Sequence, residues 1–150
     1  MNDLVILGQL LLSLFLGSLI GLERQLARKP AGFRTYALVS LGSTIFTIIS
    51  EMLALRYANT PNFSFDPSRI ASQIIVGIGF VGAGVIIYQK SQIRGITTAA
   101  SLWVTAAIGM AVGFGLYTLA IISTCLVLIV LIVFYFFIEN RLTKKLTQNK

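Results

Sequence analysis

Five stretches of this chain are too long and too apolar to suit a domain folded in water. They are Leu4–Leu22, Tyr36–Ala54, Ile70–Tyr88, Thr97–Gly115 and Leu116–Ile138, and Glu51 is the one charged residue inside them. A membrane-spanning helix needs about 20 apolar residues. Soluble domains carry about 25% charged residues; this chain carries 11%, with 56% hydrophobic. The runs consume most of the 150 residues. The expected fold class is therefore an all-α membrane protein, a bundle of five transmembrane helices. The expected domains are a five-helix transmembrane domain over 1–139 and a short basic cytoplasmic tail over 140–150.

Charge placement orients the bundle. Arg24, Arg28, Lys29 and Arg34 follow the first run, Lys90 and Arg94 the third, and Arg141, Lys144, Lys145 and Lys150 the fifth. Only Arg56 and Arg69 fall on the other side. The positive-inside rule then puts the N-terminus outside and the C-terminus in the cytoplasm. The start does not read as a cleavable signal peptide, because Asp3 stands where basic residues belong and the basic residues follow the apolar run. A basic bundle face explains the net charge of +7, so no nucleic-acid partner is expected and the lipid bilayer is.

The inventory for chemistry is thin. There is no histidine, one cysteine (Cys125), and five carboxylates: Asp3, Glu23, Glu51, Asp66 and Glu139. Histidine-dependent triads and Cys/His metal sites are excluded. No catalytic residue, metal site or cofactor is expected, and the chain does not read as an enzyme. Gly77, Gly79, Gly82 and Gly84 spell the dinucleotide-binding pattern G-x-G-x-x-G, extended by one more glycine. That fingerprint needs a preceding strand and an acidic residue about 20 positions on. This string lies inside an apolar run, with no acid before Glu139. It reads instead as a membrane helix whose glycines admit close neighbours.

Small and polar residues mark helix contacts in a bilayer. Gln9, Ser13, Gly17 and Gly21 make one stripe on the first helix, and Ser40, Thr44, Thr47 and Glu51 one on the second. The third carries two: Gln73, Gly77 and Gly84, and Ser72, Gly79, Gly82 and Ala83. Two close-packing faces predict a central third helix. Thr98, Ser101, Thr105 and Gly109 line the fourth, with Trp103 and Met110 facing away. The fifth reads as peripheral and lipid-facing, with an aromatic belt at Phe134–Phe137. These stripes can be plain packing, with hydroxyls bonded to their own helix. Alternatively, Glu51, Gln73, Ser101 and Thr105 contribute to a polar seam that admits an ion or water.

The connections carry further expectations. Asp66-Pro67 reads as a helix cap followed by the first helical residue. Glu51 is within reach of Arg56 or Arg69. Glu23 is expected to pair with Arg34 or Arg94, because a carboxylate left alone at the membrane edge is costly. Gly32, Thr35 and Ala37 match Gly95, Thr98 and Ala100 in spacing, a faint parallel repeat of the kind found in transporters.

Six strings taken together resemble the MgtC/SapB family of bacterial membrane proteins: Gly21–Gln25, Ala31–Thr35, Ala37–Val39, Asp66–Ala71, Gly77–Ile86 and Arg94–Trp103. The resemblance implies a five-helix bundle in the bacterial inner (cytoplasmic) membrane, linked to low-magnesium adaptation and, in its best-known members, to virulence. It implies action on other membrane machinery, with the rotary ATP synthase as partner, rather than magnesium carriage. It implies functional positions at Glu23, Arg24, Arg34, Thr35, Asp66, Arg69, Gly77, Gly79, Gly82, Gly84, Arg94, Gly95, Thr97 and Thr98. Thr97 stands where the MgtC pattern has Asn, and the chain ends shortly after Ile138. Both features are similar to the short, SapB-like form. Two functions compete: a regulator acting by helix contact, as a monomer or homo-oligomer, and a small cation channel or carrier using the polar and glycine seam.

Overall fold

A computed structural model describes residues 2–58, 60, 66, 68–89 and 92–134. The tail, the Tyr135–Phe137 part of the expected aromatic belt, Pro67 and Lys90 lie outside them. Five helices form: α1 (Asp3–Leu26), α2 (Phe33–Tyr57), α3 (Ser68–Val85), α4 (Ile96–Gly113) and α5 (Tyr117–Phe134). The first four are each long and apolar enough to cross a membrane; the apolar stretch Tyr117–Val133 of α5 falls just short of that length.

Helix ends follow local chemistry. The Asn2 side chain accepts from the Leu4 amide to start α1. The Asp66 carboxylate accepts from the Ser68 amide at 2.8 Å and starts α3, the expected cap. Gly32, at the N-cap of α2, has no side chain to offer, and the Gln25 amide oxygen accepts from Phe33 N–H instead. Between α4 and α5, Gly115 takes φ +72°. There Leu116 N–H bonds Ala111 O and Gly115 N–H bonds Val112 O, the paired bonds of a Schellman stop. The two helices therefore separate at Gly115, the expected boundary between the fourth and fifth runs.

The third connection differs from the expected basic loop. The apolar run reaches Tyr88, but α3 ends at Val85 and the chain turns into an antiparallel hairpin, β1 (Ile87–Gln89) and β2 (Gln92–Arg94), with Ile87 opposite Arg94. Gly95 then opens α4 at φ +93°, and a Cβ there would collide with the Val85 carbonyl. Glycine meets both demands at once.

The core is built around α2. It packs most extensively on α1 and α4, while α3 rests mainly on α4 and α5 on α4 and α1. Two small-residue motifs clasp α2 from both sides. A Cβ at Gly17 would sit 2.7 Å from Ser40 Cβ and from the Tyr36 carbonyl oxygen; one at Gly21 would sit 2.7 Å from Phe33 Cα. From the other side, a Cβ at Gly109 would overlap the Ser40 carbonyl, and one at Gly113 would lie 2.6 Å from Thr47 Cβ. Each pair is a G-x-x-x-G that lets backbones approach. The prediction of a central α3 is thus corrected. Of its four clustered glycines only Gly82 meets a neighbour, Ala99, and Gly77, Gly79 and Gly84 have nothing within 4 Å. Glycine permits close approach without supplying apolar area to drive it, and the larger buried faces belong to α2 and α4.

Candidate functional site

The interior of the bundle holds the predicted stripes of α1, α2 and α4. Gln9, Ser13, Ser40, Thr44, Thr47, Thr98, Ser101 and Thr105 are all buried. Their hydroxyls are mostly spent locally: Ser13 donates to Leu10 O, Thr47 to Ser43 O, Ser101 to Thr98 O and Thr105 to Ser101 O. This is the packing reading of the stripes. Side chains of Thr44 and Gln9 also bond across to α4. Thr44 Oγ1 donates to Gly109 O at 2.7 Å as well as to Ser40 O. Gln9 Nε2 donates to Val112 O and Gly113 O at 3.1 and 3.2 Å. Gln9 Oε1 and Ser40 Oγ are buried without a partner.

Tyr36 was not legible as a functional candidate, yet it is fully buried. Its hydroxyl bonds Ser101 Oγ and reaches Thr98 O at 3.3 Å, tying the starts of α2 and α4 together. Gly32 and Gly95 are the N-caps of these two helices, which run in the same direction. That gives the faint repeat a structural counterpart: Gly17 packs on the start of α2 as Gly82 packs on the start of α4.

At the same end, Glu23 does not pair with Arg34 or Arg94. It pairs with its neighbour Arg24, the two side chains being 14% and 3% exposed. The reason is burial. Arg24 turns into the bundle, and a guanidinium taken out of water needs a counter-charge, which the adjacent carboxylate supplies. Arg34 and Arg94 stay at the surface, as does Thr97; Thr35 is half-buried. Glu51 is half-buried on the last turns of α2 and pairs with neither Arg56 nor Arg69.

The proposed polar seam therefore does not assemble. Ser101 and Thr105 lie inside the α1–α2–α4 core, Gln73 is exposed on α3, and Glu51 sits near the opposite end of α2 from Tyr36. Among the described residues, no three His, Cys, Asp or Glu side chains group as a metal site. Asp66, Arg69 and Gln73 mark the start of α3. Its hydrogen bonds from Ser68 hold the Asp66 carboxyl below the usual range. Arg69 and Gln73 line an open groove between α2 and α3, with Gly77 deeper along it. The other side of α3 presents Gly79 and Ala83, both exposed. The glycine string lies wholly within a helix, which removes the dinucleotide geometry.

A family model matches residues 10–139 of this sequence; its description is "MgtC family". The chain belongs to the MgtC family. An "Uncharacterized protein" of Haemophilus influenzae is 46% identical over 130 residues, covering 85% of this chain and 55% of that protein. The "Putative magnesium transporter YhiD" of Escherichia coli K12 is 47% identical over 116 residues, 77% of this chain and 54% of its own length. "Protein MgtC" of Salmonella typhimurium LT2 is 44% identical over 119 residues, 79% of this chain and 48% of its own length. The chain thus spans about half the length of the curated relatives it matches. No solved structure gives a significant match. Family membership and the apolar helices make this a membrane protein.

Proposed function

We propose that this chain is a regulator in the bacterial inner membrane that acts on another membrane protein by helix contact, in the service of growth at low magnesium. It crosses the bilayer five times with its N-terminus outside, in accord with the basic residues Arg24, Arg28, Lys29, Arg34 and Arg94 at one end of the bundle against Arg56 and Arg69 at the other. The observation that carries the reading is the contrast between the two kinds of glycine. Gly17, Gly21, Gly109 and Gly113 are filled by α2. Gly79 and Ala83, four residues apart on the exposed side of α3, are uncovered. A small-x-x-x-small face turned outward is a site where a second helix can pack closely. The chain is a contact protein rather than an enzyme, and the rotary ATP synthase is the first partner to try.

The test is photo-crosslinking in bacterial membranes from a probe at Ala83. A defined membrane protein should be captured, and Gly79→Leu should abolish both the capture and growth rescue at low magnesium with protein level unchanged. Capture and rescue that survive Gly79→Leu would refute the contact.

A cation carrier is the second reading. It rests on Gln9 Oε1 and Ser40 Oγ, buried oxygens without partners, since hard cations take oxygen ligands. Cation flux in proteoliposomes that Gln9→Leu removes would favour it.

A further inference from the structure

The groove between α2 and α3 is used by neither reading. It encloses about 680 Å³, within the range of small-molecule sites. Its walls are apolar, with Phe46 from α2 and Val81 from α3, and Gly42 and Gly77 widen it. Arg69 and Gln73 are its polar rim on α3.

The groove runs from Leu38 to Phe46 along α2 and from Arg69 to Val81 along α3. Arg69 to Val81 spans about 18 Å at 1.5 Å per helical residue, a little over half of the roughly 30 Å hydrocarbon core. It starts in the first turn of α3, one turn after the exposed cap Asp66.

Charge selects the headgroup. Arg69 forms no ion pair with a described carboxylate, and Asp66 stands three residues before it. The described charges at this end are Asp3, Glu51 and Asp66 against Arg56 and Arg69, a balance that does not favour an anionic lipid. A cation and an anion side by side at the groove mouth suit a headgroup carrying both signs.

We propose that the α2–α3 groove binds an ethanolamine phospholipid, with one acyl chain between the helices, its phosphate on Arg69 and its ammonium facing Asp66. The Arg69 guanidinium donates to phosphate oxygens. Gln73, one turn deeper, is placed to donate to the glycerol ester. A primary ammonium keeps three N–H donors for a carboxylate, and a quaternary choline has none.

The experiment is native mass spectrometry of the purified full chain, titrated with dioleoyl phosphatidylethanolamine, phosphatidylglycerol and phosphatidylcholine. The expected result is one tightly held phosphatidylethanolamine, preferred about fivefold, the worth of one charge at a membrane surface. Arg69→Gln should weaken all three lipids about fivefold, while Arg56→Gln at the same end leaves them unchanged. Asp66→Asn keeps the helix cap and should erase the preference over phosphatidylglycerol. Gly42→Leu projects into open space, with nothing within 4 Å of its Cβ, and should displace the lipid without unfolding the chain. Equal binding of the three lipids would overturn the proposal. So would a preference that survives Gly42→Leu, or Arg56→Gln acting like Arg69→Gln. Loss of a crosslinked protein in Gly42→Leu with lipid binding intact would instead make the groove a protein interface and also overturn it. Gly79 lies on the other side of α3, so this proposal and the regulatory one fail separately.

Discussion

Gly109→Ala should be among the most damaging single methyl additions to this bundle. The added Cβ would overlap the Ser40 carbonyl oxygen and approach Ser40 C and Cα to 3.0 Å. Those are backbone atoms of a helix, so no rotamer change relieves the clash, and α2 and α4 must move apart. Overpacking of this kind costs about 1–3 kcal/mol. Separation also stretches the Thr44–Gly109 bond, and interhelical bonds in membranes average about 0.6 kcal/mol. Against this, replacing a helical glycine by alanine returns about 1 kcal/mol of propensity. Because the clash is with backbone, the upper part of the cost applies and a net loss of about 2 kcal/mol is expected. Since 1.4 kcal/mol is a factor of ten, the unfolding equilibrium constant should rise by about 30-fold. Gly42→Ala is the control: its Cβ meets nothing within 4 Å, and it should be neutral or slightly stabilising. Reversible unfolding of the protein in bicelles by a denaturing detergent measures both. A Gly109→Ala protein as stable as the Gly42→Ala control would refute the close α2–α4 approach.

Four further outcomes follow from named contacts. Tyr36→Phe should cost about 1 kcal/mol, and combining it with Ser101→Ala should cost less than the sum of the two in the same unfolding assay, because the hydroxyls share a bond. Thr44→Val keeps the shape and gives up the bond to Gly109 O, so its loss should stay near 0.6 kcal/mol. Asp66 has a lowered folded pKa, so its cap is intact above the unfolded value and is lost as pH falls through the folded one. Its carboxyl carbon, followed by NMR, should titrate with a midpoint below 3.8, and a midpoint above that would remove the Ser68 bonds as the cause. Single cysteines at Asn2 and Arg28, in a Cys125→Ser background, should be labelled by an impermeant reagent from the outside and only after permeabilisation, respectively.

The helices and the packed faces of α1, α2 and α4 were legible because each rests on a local signal. Gln9, Ser13, Gly17 and Gly21 recur every four residues, and that spacing alone places them on one face. The Asp66 cap was legible for the same reason. The position of α3 was not. Its two glycine stripes record which faces could admit a neighbour, but not whether one is there, and in this chain one side meets Ala99 while the others stay open. The Glu23 partner was missed because the choice depended on Arg24 turning inward, a tertiary outcome that leaves no periodic trace. Tyr36 stood out only as the first residue of the second apolar run, and its buried bond to Ser101 joins residues 65 positions apart. The hairpin was hidden by hydropathy, which counts Ile86, Ile87 and Tyr88 as more helix. The polar run Gln89-Lys90-Ser91-Gln92, set between Ile87-Tyr88 and Ile93, was the available signal of a turn.

The most direct test of a regulator with a closed interior is cation flux. Purified protein is reconstituted into liposomes, folding is confirmed by its unfolding transition, and a magnesium gradient is imposed with an internal fluorescent indicator. The account predicts no flux above protein-free vesicles, in wild type and in Glu51→Gln alike. Saturable magnesium entry that Gln9→Leu or Glu51→Gln abolishes would contradict it and make the core of α1, α2 and α4 a pathway.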